Sequence, residues 1–187
     1  MNRTRLVFSG SGGQGVVTAA IILAEAAVLH DGLMAVQTQS YGAAARGGAT
    51  RAEVIISDAP INYPMVVQPN ILVCLTQEAY SLYAATIRPG GLLLTDPHYV
   101  KIERKVDAIQ QQVPMHDTVS AQIGNLMVLN SCMLGALLGL RPLVRPESVL
   151  TVLARHVPGQ FMDINRRAFC SGLELTKAEK NRSEIRV

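Results

Sequence analysis

Apolar and polar positions along this chain follow two periods. Short apolar runs bounded by turn residues predict strands, and longer stretches with apolar residues three and four positions apart predict helices. Residues 71–75 are continuously apolar, as expected for a parallel strand covered on both faces. Strands are predicted near 4–9, 33–39, 49–57, 71–75, 92–94 and 111–116, and helices near 14–30, 77–87, 117–140, 146–156 and 163–178.

Alternation of strands with helices predicts an α/β fold. We expect a three-layer α/β/α domain with a mostly parallel, possibly mixed, sheet, and a single domain spanning residues 1–187.

Residues 123–140 are apolar enough to require a membrane check, because about 18 apolar residues can span a bilayer. Asn125, Asn130 and several glycines interrupt this stretch. We therefore expect a buried helix and no membrane association.

A glycine-rich loop follows the first predicted strand and opens into the first helix. Its sequence, Gly10-Ser11-Gly12-Gly13-Gln14-Gly15, has the G-x-G-x-x-G spacing of a Rossmann-like first βαβ unit. Glycines permit a tight turn and close approach of backbone N–H groups to an anion, which the helix N-terminus also favours. A phosphate-bearing ligand and a purely structural turn both remain open. The candidate anion-binding or shared-site residues are Gly10, Gly12, Gly13, Gln14 and Gly15.

The second half of a dinucleotide site is missing. An acidic residue that binds the ribose is expected about 20 residues further on, at the end of the second strand. Here that strand ends in Gln37-Thr38-Gln39, and Asp31 precedes it. This weakens the alternative that the chain is a self-standing Rossmann-like nucleotide-binding enzyme, such as a small dehydrogenase.

A second glycine cluster follows the second predicted strand, Ser40-Tyr41-Gly42-Ala43-Ala44-Ala45-Arg46-Gly47-Gly48. Together with the GSGGQGVVTAA opening, it resembles the gamma subunit of 2-oxoacid:ferredoxin oxidoreductases. The resemblance continues through residues 70–73, 88–91, 130, 134–135, 165 and 172, and so covers nearly the whole chain. Ala43-Ala44 stands where the family usually has Pro-Glu, which removes an acidic side chain and a rigid φ.

The resemblance implies a subunit of an enzyme (EC 1.2.7.-) that converts a 2-oxoacid, coenzyme A and oxidised ferredoxin to acyl-CoA, CO2 and reduced ferredoxin. The odd number of cysteines, with no signal peptide, predicts a cytoplasmic location. Enzymes of this family use thiamine diphosphate with Mg and iron–sulfur clusters, and alpha, beta and delta (ferredoxin-like) partner subunits are implied. The 2-oxoglutarate type is favoured over the pyruvate, branched-chain and indolepyruvate types, and the isolated chain is expected to be inactive. Tyr41, Arg46, Gly47 and Gly48 are expected to contact the partners, because aromatic and arginine side chains are favoured interface anchors.

Composition limits what the chain can do alone. Its net charge of +3, with both signs interspersed, does not indicate nucleic-acid binding. Cys74, Cys132 and Cys170 are far apart, and without a C-x-x-C pair they predict no iron–sulfur or zinc site. The four histidines are equally scattered, and Asp96-Pro97-His98 is interpreted as a turn after a buried strand. We therefore expect no metal, no catalytic residue and no cofactor bound by this chain alone.

Overall fold

The computed structural model describes residues 3–40, 49–103 and 105–184. The predicted elements are found, with shifted ends. The strands are β1 (Thr4–Gly10), β2 (Met34–Ser40), β3 (Thr50–Ser57), β4 (Ile71–Cys74), β5 (Gly91–Thr95) and β6 (Ala108–Gln112). The helices are α1 (Val16–His30), α2 (Gln77–Tyr83), α3 (Met115–Gln122), α4 (Leu129–Leu140), α5 (Pro146–His156) and α6 (Met162–Glu184), with short 3-10 turns at Ala84–Thr86, Leu126–Val128 and Gly159–Phe161.

Two predictions needed correction. The strand expected near 111–116 lies earlier, at β6, and the helix expected over 117–140 is two helices. The break begins at Gly124, whose φ of +72° lies in the left-handed region that glycine adopts without strain. Asn125 then accepts a hydrogen bond from the N–H of Met127 at 3.0 Å, which starts the 3-10 turn before α4.

The sheet is mixed, in the order β2-β3-β1-β4-β5-β6. β1, β4, β5 and β6 are parallel neighbours, whereas β3 runs antiparallel to both β1 and β2. β2 therefore has the same direction as β1 without touching it. In a Rossmann unit these two strands are neighbours, so the first βαβ unit differs by one inserted antiparallel strand.

Helices cover the two faces of the sheet unequally. Leu6 and Phe8 of β1 belong to the larger core, which also contains residues of α1, α3, α4, α5 and α6. Val7, which points to the other face, belongs to a smaller core with Ala79 and Tyr80 of α2. This arrangement confirms the three-layer fold, with β4 fully buried between the layers.

Helices α4 and α6 cross in backbone contact. A Cβ atom at Gly135 would clash with the carbonyl oxygen of Phe169, and one at Gly172 would clash with the carbonyl oxygen of Cys132. Small residues permit such close approach between helices. The apolar stretch within 123–140 is thus explained by burial, since α4 lies mostly inside the larger core. Among the described residues, no helix has both the length and the apolar character that crossing a membrane requires.

Candidate functional site

The glycine loop lies at the carboxyl end of β1, near the middle of the sheet. Gly13 and Gly15 have φ values of +89° and +70°, so both positions favour glycine. Gly15 also packs against α4, where an added Cβ would lie 2.8 Å from Asn130 Nδ2. In the part of the chain that the structure describes, no side chain caps the N-terminus of α1. The backbone N–H groups of its first turn are therefore available to an anion.

Gln14 holds the loop to the rest of the fold. Its Oε1 accepts a hydrogen bond from the Ser11 N–H at 2.8 Å, and its Nε2 donates to the Leu75 carbonyl, just after β4, at 2.9 Å. The Gln14 amide is thus bonded within the chain, so the donors that the loop presents outward are backbone N–H groups.

Gly12 is different from the other loop glycines. Its φ is not positive, and no atom of the described residues lies within 4 Å of where its Cβ would stand. By contrast, a Cβ at Gly10 would lie 2.5 Å from Gln14 Oε1. Neither backbone conformation nor packing within the described structure requires glycine at position 12. A group from outside the chain that approaches the backbone closely would require it.

The turn after β5 meets the start of α3 through one buried carboxylate. Asp96 is fully buried, and its two oxygens accept hydrogen bonds from the backbone N–H groups of His98 at 2.9 Å and His116 at 2.6 Å. Burial raises the pKa of Asp96, and the two hydrogen bonds oppose part of that effect. Asp96 therefore fixes two separate segments of chain to each other.

The rings of His98 and His116 stack on each other, with centroids 3.4 Å apart and planes 14° apart. Tyr99 lies edge-on to both rings. His116 Nδ1 is 3.0 Å from Asp117 Oδ1, and His98 Nδ1 is 3.6 Å from the same oxygen. The spacing of these histidines in the sequence did not predict that they would be in contact. Each histidine follows the carboxyl end of a strand, His98 after β5 and His116 after β6, and these two strands pair in parallel. That pattern is the sequence signal from which the contact could have been predicted.

The predicted interface residues Tyr41, Arg46, Gly47 and Gly48 lie outside the described residues. The strand ends that flank this segment are described. Ser40 pairs with Arg51, and Thr50 pairs with Gly10. Both ends of the segment therefore lie at the same end of the sheet as the glycine loop, although β3 separates β1 from β2.

Asp31 is far from this end of the sheet. It follows α1 and accepts hydrogen bonds from the backbone N–H of Arg145 at 2.7 Å and from the Ser148 hydroxyl. Burial opposes its ionisation, but the hydrogen bonds from Ser148 and Arg145 outweigh burial and lower its pKa. Asp31 joins α1 to α5 and cannot serve as the ribose-binding acid of the loop.

Comparison with known proteins gives the family. A model of the pyruvate ferredoxin/flavodoxin oxidoreductase family matches residues 5–175. The chain is 43% identical over 177 residues to 2-oxoglutarate synthase subunit KorC of Methanocaldococcus jannaschii, covering 94% of this chain and 95% of the relative. The chain belongs to the pyruvate ferredoxin/flavodoxin oxidoreductase family. The resemblance inferred from the two glycine motifs is confirmed.

Solved structures of this oxidoreductase family share the fold. The gamma subunit of a keto/oxoacid ferredoxin oxidoreductase from Geobacter sulfurreducens is 39% identical, with a TM-score of 0.87 over 95% of this chain and 98% of that one. The 2-oxoglutarate:ferredoxin oxidoreductase of Magnetococcus marinus, with 2-oxoglutarate, coenzyme A and succinyl-CoA bound, has a TM-score of 0.85 at 21% identity. The match covers 95% of this chain and 32% of that chain, so it shows the fold alone.

The thiols of this family member do not fit an iron–sulfur cluster. Cys74 and Cys132 are buried, and burial raises the pKa of each to about 12, whereas Cys170 is exposed. Cluster ligands are thiolates held together around the iron atoms. Within the described parts of the chain, the one group of three or more side chains close enough to bind a metal contains no cysteine.

Proposed function

We propose that this chain is the gamma subunit of a 2-oxoglutarate:ferredoxin oxidoreductase. The complete enzyme would convert 2-oxoglutarate, coenzyme A and oxidised ferredoxin to succinyl-CoA, CO2 and reduced ferredoxin. The strongest support for the substrate is the full-length similarity to a 2-oxoglutarate synthase subunit. Family membership supports the wider class of 2-oxoacid oxidoreductases.

The redox and decarboxylation chemistry belongs to partner subunits in this proposal. Thiamine diphosphate and Mg are assigned to the alpha and beta subunits, and iron–sulfur clusters to a beta or ferredoxin-like delta subunit. The separate, mostly buried cysteines support this division. The isolated chain is inactive and the assembled enzyme is cytoplasmic. A self-standing dehydrogenase is disfavoured by the strand inserted between β1 and β2 and by the position of Asp31.

The glycine loop forms part of a site shared with a ligand or partner. Backbone N–H groups of Gly12, Gly13 and Gly15 would face a phosphate of coenzyme A or the backbone of a neighbouring subunit. Gly12 carries this proposal, because nothing within the described chain requires glycine there. Helix N-termini and glycine-rich turns bind phosphate through the same donors.

A Gly12→Ala substitution tests the shared site. Gly159→Ala is a matched control, because Gly159 also has open space around its Cβ position and no positive φ. Co-expressed with its partners, the Gly12→Ala subunit should lower 2-oxoglutarate- and coenzyme-A-dependent ferredoxin reduction or weaken assembly. The melting temperature of the subunit alone should not change. If both variants give complexes with wild-type activity, the loop is a structural turn.

The segment containing Tyr41, Arg46, Gly47 and Gly48 contacts the catalytic subunits in this proposal. Arg46→Ala should reduce assembly or activity of the complex while leaving the melting temperature of the subunit within a few degrees of wild type. Arg166→Ala, at an exposed position on α6, is the control. A large loss of stability in the isolated Arg46→Ala chain would instead indicate that Arg46 caps carbonyl groups of its own domain.

Co-purification from the native host tests the whole proposal. The chain should purify with thiamine-binding and iron–sulfur subunits, and the complex should form acyl-CoA from 2-oxoglutarate in preference to pyruvate, a branched-chain 2-oxoacid or indolepyruvate. The subunit proposal fails if the isolated chain turns over any of these substrates unaided. Binding of NAD to the isolated chain would favour the dehydrogenase alternative.

A further inference from the structure

We propose that His98, His116 and Asp117 form a binding site for a divalent transition-metal ion. One potential ligand atom from each of the three residues lies within 4.8 Å of the others. Two imidazole nitrogens and one carboxylate oxygen suit zinc, iron, cobalt or nickel, whereas magnesium and calcium prefer ligand sets made of oxygen. The site is separate from the glycine loop and does not depend on the assignment of the subunit.

The backbone that carries these ligands is held in place before any metal binds. The buried Asp96 carboxylate bonds to the N–H groups of His98 and His116, and so joins the turn after β5 to the first turn of α3. Asp117 follows His116 directly. Pairing of β5 with β6 places the two segments side by side. Ligands that are already positioned lose less conformational freedom on binding.

The two imidazoles differ in their room to move. The His116 side chain is 15% exposed and the His98 side chain is 44% exposed. A metal ion binds in the plane of each imidazole ring, so two nearly parallel rings cannot both point their Nδ1 lone pairs at one ion. His98, on the solvent side, can turn until its Nδ1 converges with that of His116 on the ion. Metal binding would therefore separate the stacked rings.

Binding would also change the contacts of His116. An imidazole binds a metal ion through a ring nitrogen that carries no hydrogen, so the ion would replace the contact between His116 Nδ1 and Asp117 Oδ1. Three protein ligands leave a coordination position for water or another oxygen donor, as in catalytic zinc sites. Tyr99 packs edge-on against both imidazole rings.

Titration with Co²⁺ tests the site directly, because the visible absorption of bound Co²⁺ reports its coordination. The full chain is used without an affinity tag and with Cys170→Ser, which removes the exposed thiol as a ligand. One Co²⁺ should bind per chain, Zn²⁺ should displace it and Mg²⁺ should not. His98→Gln and Asp117→Asn should each weaken binding by about tenfold or more, since loss of even an outer partner of a ligand costs about that much.

His156→Gln is the matched control. His156 also contacts a carboxylate, that of Glu25 at 2.9 Å, but the described residues place no third ligand beside this pair. This variant should bind Co²⁺ as wild type does. His98 and Asp117 are both exposed, so their variants should fold, and a thermal melt verifies this. Absence of Co²⁺ binding, binding unaffected by His98→Gln and Asp117→Asn, or loss of binding in His156→Gln would each overturn the proposal.

Discussion

Replacing Gln14 with glutamate tests whether the side-chain amide holds the glycine loop in place. The two side chains have the same shape, so the substitution changes hydrogen bonding without creating a cavity. Glutamate can still accept the hydrogen bond from the Ser11 N–H. Its second oxygen, however, would face the Leu75 carbonyl oxygen at a position where Gln14 Nε2 now donates at 2.9 Å.

The expected loss of stability follows from these contacts. Removing the donor leaves the part-buried Leu75 carbonyl without its partner, which costs about 1–3 kcal/mol. A carboxylate at the N-terminus of α1 recovers up to about 1 kcal/mol from the helix dipole. Taking the middle of each range, we expect Gln14→Glu to lower the free energy of unfolding by about 1.5 kcal/mol.

Urea denaturation followed by far-ultraviolet circular dichroism measures this change, since the chain contains no tryptophan for fluorescence. Gln160→Glu, at an exposed position in the last 3-10 turn, is the control for adding a negative charge. The control should remain within about 0.5 kcal/mol of wild type. Equal stability of the two variants would refute the role assigned to the Gln14 amide.

Three further measurements test other parts of the structure. Asp31→Asn should lower the free energy of unfolding by about 2–4 kcal/mol at neutral pH. The folded state lowers the pKa of Asp31 from 3.8, so the stabilisation by the ionised carboxylate is lost as the pH falls below that value. The difference in unfolding free energy between wild type and Asp31→Asn, measured by urea titration, should therefore shrink at low pH. Gly135→Ala should lower the urea midpoint, with a loss of about 1–3 kcal/mol, because the added methyl group meets the backbone of α6. Ellman's reagent should modify Cys170 alone in the native chain and all three cysteines after unfolding, since burial raises the pKa of Cys74 and Cys132 to about 12.

Helices and strands that are defined by the residues within them were predicted correctly from the sequence. α5 begins and ends where expected, with Pro146 in its first turn, a position that proline favours. β6 was placed too late because its sequence, Ala108 to Gln112, is rich in glutamine, whereas the apolar residues Val113 and Met115 come after it. The antiparallel direction of β3 was not predicted, because strand direction depends on pairing with distant residues.

The same distinction applies to the candidate sites. The glycine loop was recognised because all of its residues are consecutive and lie between one strand and one helix. The contact between His98 and His116 depends on β5 lying beside β6, and the two histidines are far apart in sequence. Gln14 was recognised as part of the loop, but its bond to Leu75 depends on β4 lying beside β1.

The crossing of α4 and α6 restricts how this protein can vary. Most buried positions can be altered in two directions, since a side chain can be made smaller or larger. Gly135 and Gly172 have no side chain to reduce, and each faces a carbonyl group that belongs to the opposite helix and cannot change with the residue type. A compensating substitution on the partner helix is therefore unavailable. In a saturation library, these two positions should tolerate glycine almost exclusively, even where neighbouring leucines accept other apolar residues.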